Sequence, residues 1–276
     1  MRMLRVFAVL LATLLPGRFI HAAELPGPIF DAHIHYSEDA WEPLPPKRVL
    51  ELLTESGITR ALVSSTPTEG TERLYKAAPD RVVPFLRPYP SRAHRYTWFK
   101  DPAIVDYVRE HLERMPYRGI GEFHVAGADT HSDVVTEIVD LARERHLALH
   151  AHTDLAGMQT LLARASDIPV IWAHAGFDVP ETVLRDLLTR HPRLYLELSF
   201  REGITEQGLL TAVWRALFMD FPQRFLVGMD TYLPSRWVEL PALVSEARQW
   251  LSQLPDDVAS DIAYENAALL FPADEQ

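Results

Sequence analysis

Half of the chain's twelve histidines crowd into short apolar runs. The first such run ends Asp31-Ala-His33-Ile-His35. Side chains alternate faces along a strand, so residues 31, 33 and 35 share one face, and two imidazoles spaced this way can reach one metal ion. A later run carries Glu122 and His124, and another carries His150 and His152. His174 follows Val170-Ile-Trp-Ala, and Asp230 follows Leu226-Val-Gly-Met. Each of these alone has an ordinary structural reading, as a satisfied core histidine or as an aspartate capping a helix. Together they would be costly to bury unpaired. A divalent cation removes that cost, because it pairs the carboxylates and uses the imidazole lone pairs. There is no cysteine, so a thiolate site, a disulfide and a cysteine nucleophile are excluded, and the donors must be nitrogen and oxygen.

The elements that must position these residues follow from the same runs. Eight apolar stretches bounded by turn residues read as strands, at 28–35, 58–65, 82–89, 119–125, 147–152, 170–174, 194–200 and 225–230. Helix-period stretches lie between them, for example at 101–114, 132–145, 180–190 and 205–219. Strands alternating with helices imply a parallel sheet, and eight such units predict a closed (β/α)8 TIM barrel. Residues from 237 onward read as two helices that cap or flank it. The polar residues then gather at the carboxyl ends of the strands, where barrels carry their chemistry. Loops 36–46 and 90–101 are expected to cover the mouth, with Trp41, Tyr96, Trp98 and Phe99 as lid or core residues.

The length of 276 residues, with 47% hydrophobic and 24% charged, is that of a globular protein and excludes a disordered or fibrous one. Arg2 and Arg5 precede an apolar run from Val6 to Leu15, which Pro16 and Gly17 break before Ala22 and Ala23. This pattern predicts a signal peptide over residues 1–23, a single domain over 24–276, and a periplasmic or secreted location. The run is too short for a spanning helix, so no membrane association is expected after cleavage. Cleavage would remove three arginines and no acid, moving the formal charge from −11 to −14 and leaving 253 residues. Such a charge argues against a nucleic-acid partner.

The motifs DAHIH at 31–35, GEFH at 121–124, HAHTD at 150–154, WAHAG at 172–176 and GMD at 228–230 together resemble the amidohydrolase superfamily. The ending YENAALLF at 264–271 resembles that of its amidohydrolase-2 (ACMSD-like) branch. The resemblance implies a metal-dependent hydrolase with one or two divalent ions, zinc foremost. It carries the ligand roles to His33, His35, His152, His174 and Asp230. Many relatives bridge two metals with a modified lysine on strand four. Here the only lysines are Lys47, Lys76 and Lys100, none on a predicted barrel strand, and Glu122 stands at that place instead. Two arrangements stay open. Glu122 could bridge one ion held by His33, His35 and Asp230 and another held by His152 and His174. Alternatively His33, His35, His152 and Asp230 hold a single ion, with His174 catalytic beside it. His150 competes with His152 for the strand-five role.

The expected chemistry is hydrolysis of an amide, lactone or ester C–N or C–O bond by a metal-activated water. Asp230 would take the proton and pass it on, with His174 or His150 helping to polarise the scissile bond. Arg87 and Arg201, after strands three and seven, could hold a substrate carboxylate or form ordinary ion pairs. His124 and His150 are expected to face substrate. Asp31 could orient a ligand histidine or make a structural hydrogen bond. A small molecule is the expected partner, with self-association into a homo-oligomer a further expectation. A TatD-like nuclease, a non-hydrolytic decarboxylase and a non-catalytic periplasmic binding protein are the rival readings.

Overall fold

The structure is a computed structural model, and it describes residues 27–273. The segment expected to be a signal peptide lies outside the described residues.

Seven parallel barrel strands come first: β1 (Ile29–Ile34), β2 (Ile58–Ser64), β3 (Val82–Leu86), β4 (Gly119–His124), β5 (Ala148–His152), β6 (Val170–Trp172) and β7 (Leu194–Glu197). A two-stranded hairpin, β8 (Thr205–Glu206) and β9 (Leu209–Leu210), precedes the eighth barrel strand, β10 (Phe225–Leu226). The eight barrel strands form one sheet in the order β1-β2-β3-β4-β5-β6-β7-β10. Backbone hydrogen bonds bring its edges together: Ala32 N donates to Val227 O at 2.8 Å, and Asp230 N donates to His33 O at 2.7 Å. The expected (β/α)8 barrel is therefore the observed architecture.

Short βα units produce this because each helix buries one apolar stripe on the sheet. In the helix Asp133–Glu144, Val135, Ile138, Val139 and Ala142 are buried. Ser132 caps its start by accepting from Val135 N. The core has two parts. The larger lies between strands and helices. The smaller joins Phe30, Leu62, Val83, Phe85, Ile171 and Leu226 to Ala267 and Phe271 of the terminal helical segment. The Phe271 ring meets Phe85 edge-on at 5.4 Å, so the chain's end closes the barrel opposite to its mouth.

Three expectations need correction. The stretch 205–219 is not one helix. Gln207 and Gly208 both have positive φ, 51° and 77°, as the tight turn of a two-residue hairpin requires, and the helix is only Ala212–Asp220. Strands six to eight stop earlier than expected, at Trp172, Glu197 and Leu226. Beyond them His174, Phe200 and Asp230 take left-handed backbone, with φ of 58°, 54° and 46°. Strand alternation therefore does not aim these side chains; sharp turns do. Strict alternation also fails within β1, whose pairing with β2 shifts register between Asp31 and Ile34. The C-terminal region does form two helical stretches, Pro234–Leu251 and a second running from Asp256 to Leu270.

Candidate metal centre

β1 brings His33 and His35 to the mouth with their Nε2 atoms 3.1 Å apart. Across the barrel, β4 presents Glu122 between two groups of histidines. Its Oε2 lies 3.1 Å from His35 Nε2 and 3.5 Å from His33 Nε2. Its Oε1 lies 2.8 Å from His152 Nδ1 and 3.6 Å from His174 Nε2. The turn after β10 adds Asp230, whose Oδ1 is 3.3 Å from His35 Nε2 and 3.7 Å from His33 Nε2. Glycine makes this density possible. A Cβ on Gly121, where φ is +132°, would meet the backbone oxygen of His150 at 2.1 Å.

Backbone carbonyls fix how two of these imidazoles present themselves. His35 Nδ1 donates to Ser64 O at 2.6 Å, and His174 Nδ1 donates to Ser199 O at 3.0 Å. A carbonyl only accepts, so in the neutral ring each Nε2 is a lone pair turned to the centre. His33 Nδ1 donates to Glu197 Oε2 at 2.8 Å. Glu197 also accepts from His174 N and from Ser199 N and Oγ, at 3.1, 2.5 and 3.0 Å. It is thus the carboxylate that orients a ligand-type histidine, the role considered for Asp31. Asp31 Oδ1 instead accepts from the backbone of His33 and Met229, both at 3.0 Å, and ties β1 to the β10 turn. Glu197 stands inside the apolar run Leu194-Tyr-Leu-Glu-Leu, and a lone carboxylate in such a run was the signal that could have found it.

Electrostatics at the centre follow from burial and crowding. Burial and the nearby Arg87 push His35 down to about 4. Burial likewise disfavours charge on His33, but Asp230, Glu197 and Glu122 outweigh it and hold its pKa well above the usual value. Glu122 is fully desolvated, yet His124 and His33, with hydrogen bonds from His152 and His174, keep its carboxyl well below the usual range. Burial pushes Asp31 up to about 8.

The donor set suits a divalent ion. Asp230 Oδ1 is buried with no hydrogen-bond partner, beside two imidazole nitrogens and a carboxylate. Imidazole and carboxylate donors at this density are what zinc and similar ions take. Three groups of potential ligand atoms lie close enough to share an ion among the described residues: His33, His35 and Asp230 at the mouth, Glu122, His124 and His152 beside them, and His33, His150 and Glu197 below.

The remaining candidates divide. Arg87 reaches the centre, but its Nη2 donates to Glu122 Oε2 at 2.5 Å and to His35 Nε2 at 2.8 Å, and its Nη1 donates to Thr66. It is held by the protein rather than open to a carboxylate. Arg201 turns away from the mouth, donating to Val179 O and Glu181, both at 2.9 Å, and stacking over Trp214. This is the ion-pair alternative, and its Nη2 is spent there. His150 is fully buried beneath His33, with ring centroids 4.6 Å apart and no hydrogen bond at either nitrogen, so it lines no part of the mouth. Burial and His33 hold it neutral, its pKa well below the usual value. His152 is the member of that pair that meets Glu122. His124 stacks on His152 at 4.0 Å, and burial lowers it to about 2. Trp98 and Phe99 are core, whereas Tyr96 stands exposed at the rim. Arg95, Phe177, Phe200 and Tyr232 also line the mouth, and none of these four was anticipated.

Comparison with known proteins agrees with this fold. No curated protein sequence matches the chain. Among solved structures, a protein assigned as a 2-pyrone-4,6-dicarboxylic acid hydrolase from Pseudomonas putida superposes with a TM-score of 0.65 at 12% identity, over 90% of this chain and 99% of that one. An amidohydrolase from Burkholderia multivorans with bound HEPES gives 0.58 at 17% identity, over 90% and 100%. A TatD homolog from Escherichia coli K12 gives 0.59 at 16% identity, over 88% and 97%. These likenesses speak to the barrel. The amidohydrolase family model matches residues 30–273, from the first barrel strand to the terminal plug. The chain belongs to the amidohydrolase family.

Proposed function

We propose that this protein is a metal-dependent hydrolase that cleaves a C–N or C–O bond of a small molecule, an amide, lactone or ester. The observation that carries the reading is the unpartnered Oδ1 of Asp230, buried at the mouth beside His33, His35 and Glu122. His33, His35, Glu122 and Asp230 would hold one ion, and Glu122, His152 and His174 a second. The placement of one Glu122 oxygen towards each group favours two ions over one, and zinc is the ion proposed. Bound there, such an ion polarises the scissile carbonyl and lowers the pKa of water enough to give a nucleophile near neutrality.

The chain's own residues do the rest. Asp230, the carboxylate with a free oxygen facing the pocket, accepts the proton of the attacking water and returns it to the leaving group. Glu197 holds His33 in one orientation, and the Ser64 and Ser199 carbonyls hold His35 and His174. Arg87 offsets the negative charge of Glu122. The acidic balance of the chain, −11, favours a small-molecule substrate over nucleic acid.

The test is elemental analysis followed by a panel of amides, lactones and esters. The expected result is a bound divalent metal, with activity that chelation removes and the metal restores. Asp230→Asn should lower kcat/KM by roughly 10³-fold. Full activity in the metal-free protein or in Asp230→Asn overturns the proposal.

A further inference from the structure

The chamber over the centre is small, about 280 Å³. That is just under the roughly 300–1,000 Å³ of small-molecule sites. It opens sideways into a larger cleft of about 520 Å³ between the turns that follow β4, β5 and β6. Tyr96, His124, His152 and Phe177 line both spaces. The stacked His124–His152 pair forms the sill between them, with Tyr96 edge-on to His124 at 5.7 Å and Phe177 5.1 Å from His152.

Two observations say what the cleft takes. The first is strain. Phe177 keeps left-handed backbone, φ 56°, while 40% of the residue stays exposed. That conformation is a real outlier for a bulky side chain, and burial of the ring within the protein does not offset it. The second is charge asymmetry. The chamber is flanked by Arg87 and Arg95; Arg95 lies over the Tyr96 ring at 5.9 Å and makes no ion pair with a carboxylate among the described residues. Beyond the sill the lining has no lysine or arginine; Val125, Ala126, Leu155, Gly176 and Val179 are joined there by Thr153 and the carboxylates of Asp154 and Asp178. Asp154 is occupied by the backbone N–H groups of Gly127 and Gly157, whereas Asp178 makes no ion pair among the described residues.

We propose that the cleft is a leaving-group subsite, walled by Tyr96 and Phe177, for an apolar group that is not anionic. The other half of the substrate, carrying a carboxylate, faces Arg95. This rests on the hydrolase reading above for the bond that lies over the centre. The substrate class is therefore two-faced: an anionic acyl half joined to an apolar amine or alcohol. Hydrolysis adds water across the linking bond, giving a second carboxylate and a free amine or alcohol. An amine would leave protonated, beside Asp178.

Binding tests this without turnover. The probes are succinamates of phenethylamine and of methylamine in which a methylene group replaces the amide N–H, so neither can be hydrolysed. Calorimetry on the zinc-loaded protein should show the phenethyl compound binding about tenfold more tightly. Phe177→Ala, at an exposed position, should remove most of that advantage while changing the methyl compound far less. Arg95→Gln should weaken both compounds alike. Equal binding of the two compounds, or an advantage that survives Phe177→Ala, overturns the subsite. The parent amides separate this from the hydrolase reading. A phenethyl advantage with no hydrolysis of any substrate defeats that reading and keeps the subsite, and hydrolysis with no such advantage does the reverse.

Discussion

The two ends of the barrel use the same strands and opposite materials. At the closed end, Phe30, Val83, Phe85 and Leu226 meet Phe271 in an apolar plug. At the mouth, His33, His35, Glu122, His174 and Glu197 are nearly as inaccessible, all within 2% exposure, yet every one is polar. Burial at the plug stabilises by about 2–3 kcal/mol for a large side chain. Burial at the mouth costs free energy, and a web of hydrogen bonds offsets only part of it, as the orphaned oxygen of Asp230 shows. The contrast teaches that stability and chemistry are divided along the barrel axis, so a change at one end should leave the other's property intact.

The largest expected departure is at the plug. Phe271→Ala should lower unfolding free energy by about 3–5 kcal/mol, read by urea titration. Metal content and activity per folded molecule should not change, and a parallel loss of activity would break the division. At the mouth, Glu197→Gln keeps the size of the side chain and removes the charge that orients His33. Metal affinity, read by competition with a chelator, should fall about 10- to 100-fold. Unaltered affinity would mean that the histidines are oriented without Glu197. The smallest effect belongs to neither end. Arg143 and Asp167 form an exposed pair at 2.7 Å on the barrel's outside. Asp167→Ala should cost under about 1 kcal/mol in the same urea titration and leave metal affinity unchanged.

The barrel was legible because each strand is a short apolar run between turn residues, a local signal. So were the residues that the structure gathers at the mouth, since His33, His35, Glu122, His152, His174 and Asp230 sit at or just beyond the ends of those runs. Direction was not legible. Arg201 follows β7 as Arg87 follows β3, yet Arg87 enters the centre and Arg201 leaves it for Glu181. The choice depends on partners far away in sequence. Glu197 was overlooked because it lies within a run rather than at its end. Phe177 and Phe200 reach the rim through positive φ, which sequence patterns assign to glycine rather than to phenylalanine.

The bond from Asp230 N to His33 O has a temporal meaning as well. It joins the first barrel strand to the turn after the last, nearly two hundred residues downstream. Contacts so distant along the chain form late and slow folding. During folding the two strand-one histidines must wait, without Asp230, until the last barrel strand has docked. A partly folded chain would therefore present only part of the proposed ligand set. Under the proposed function, tight binding of a metal would therefore report that the last strand has docked.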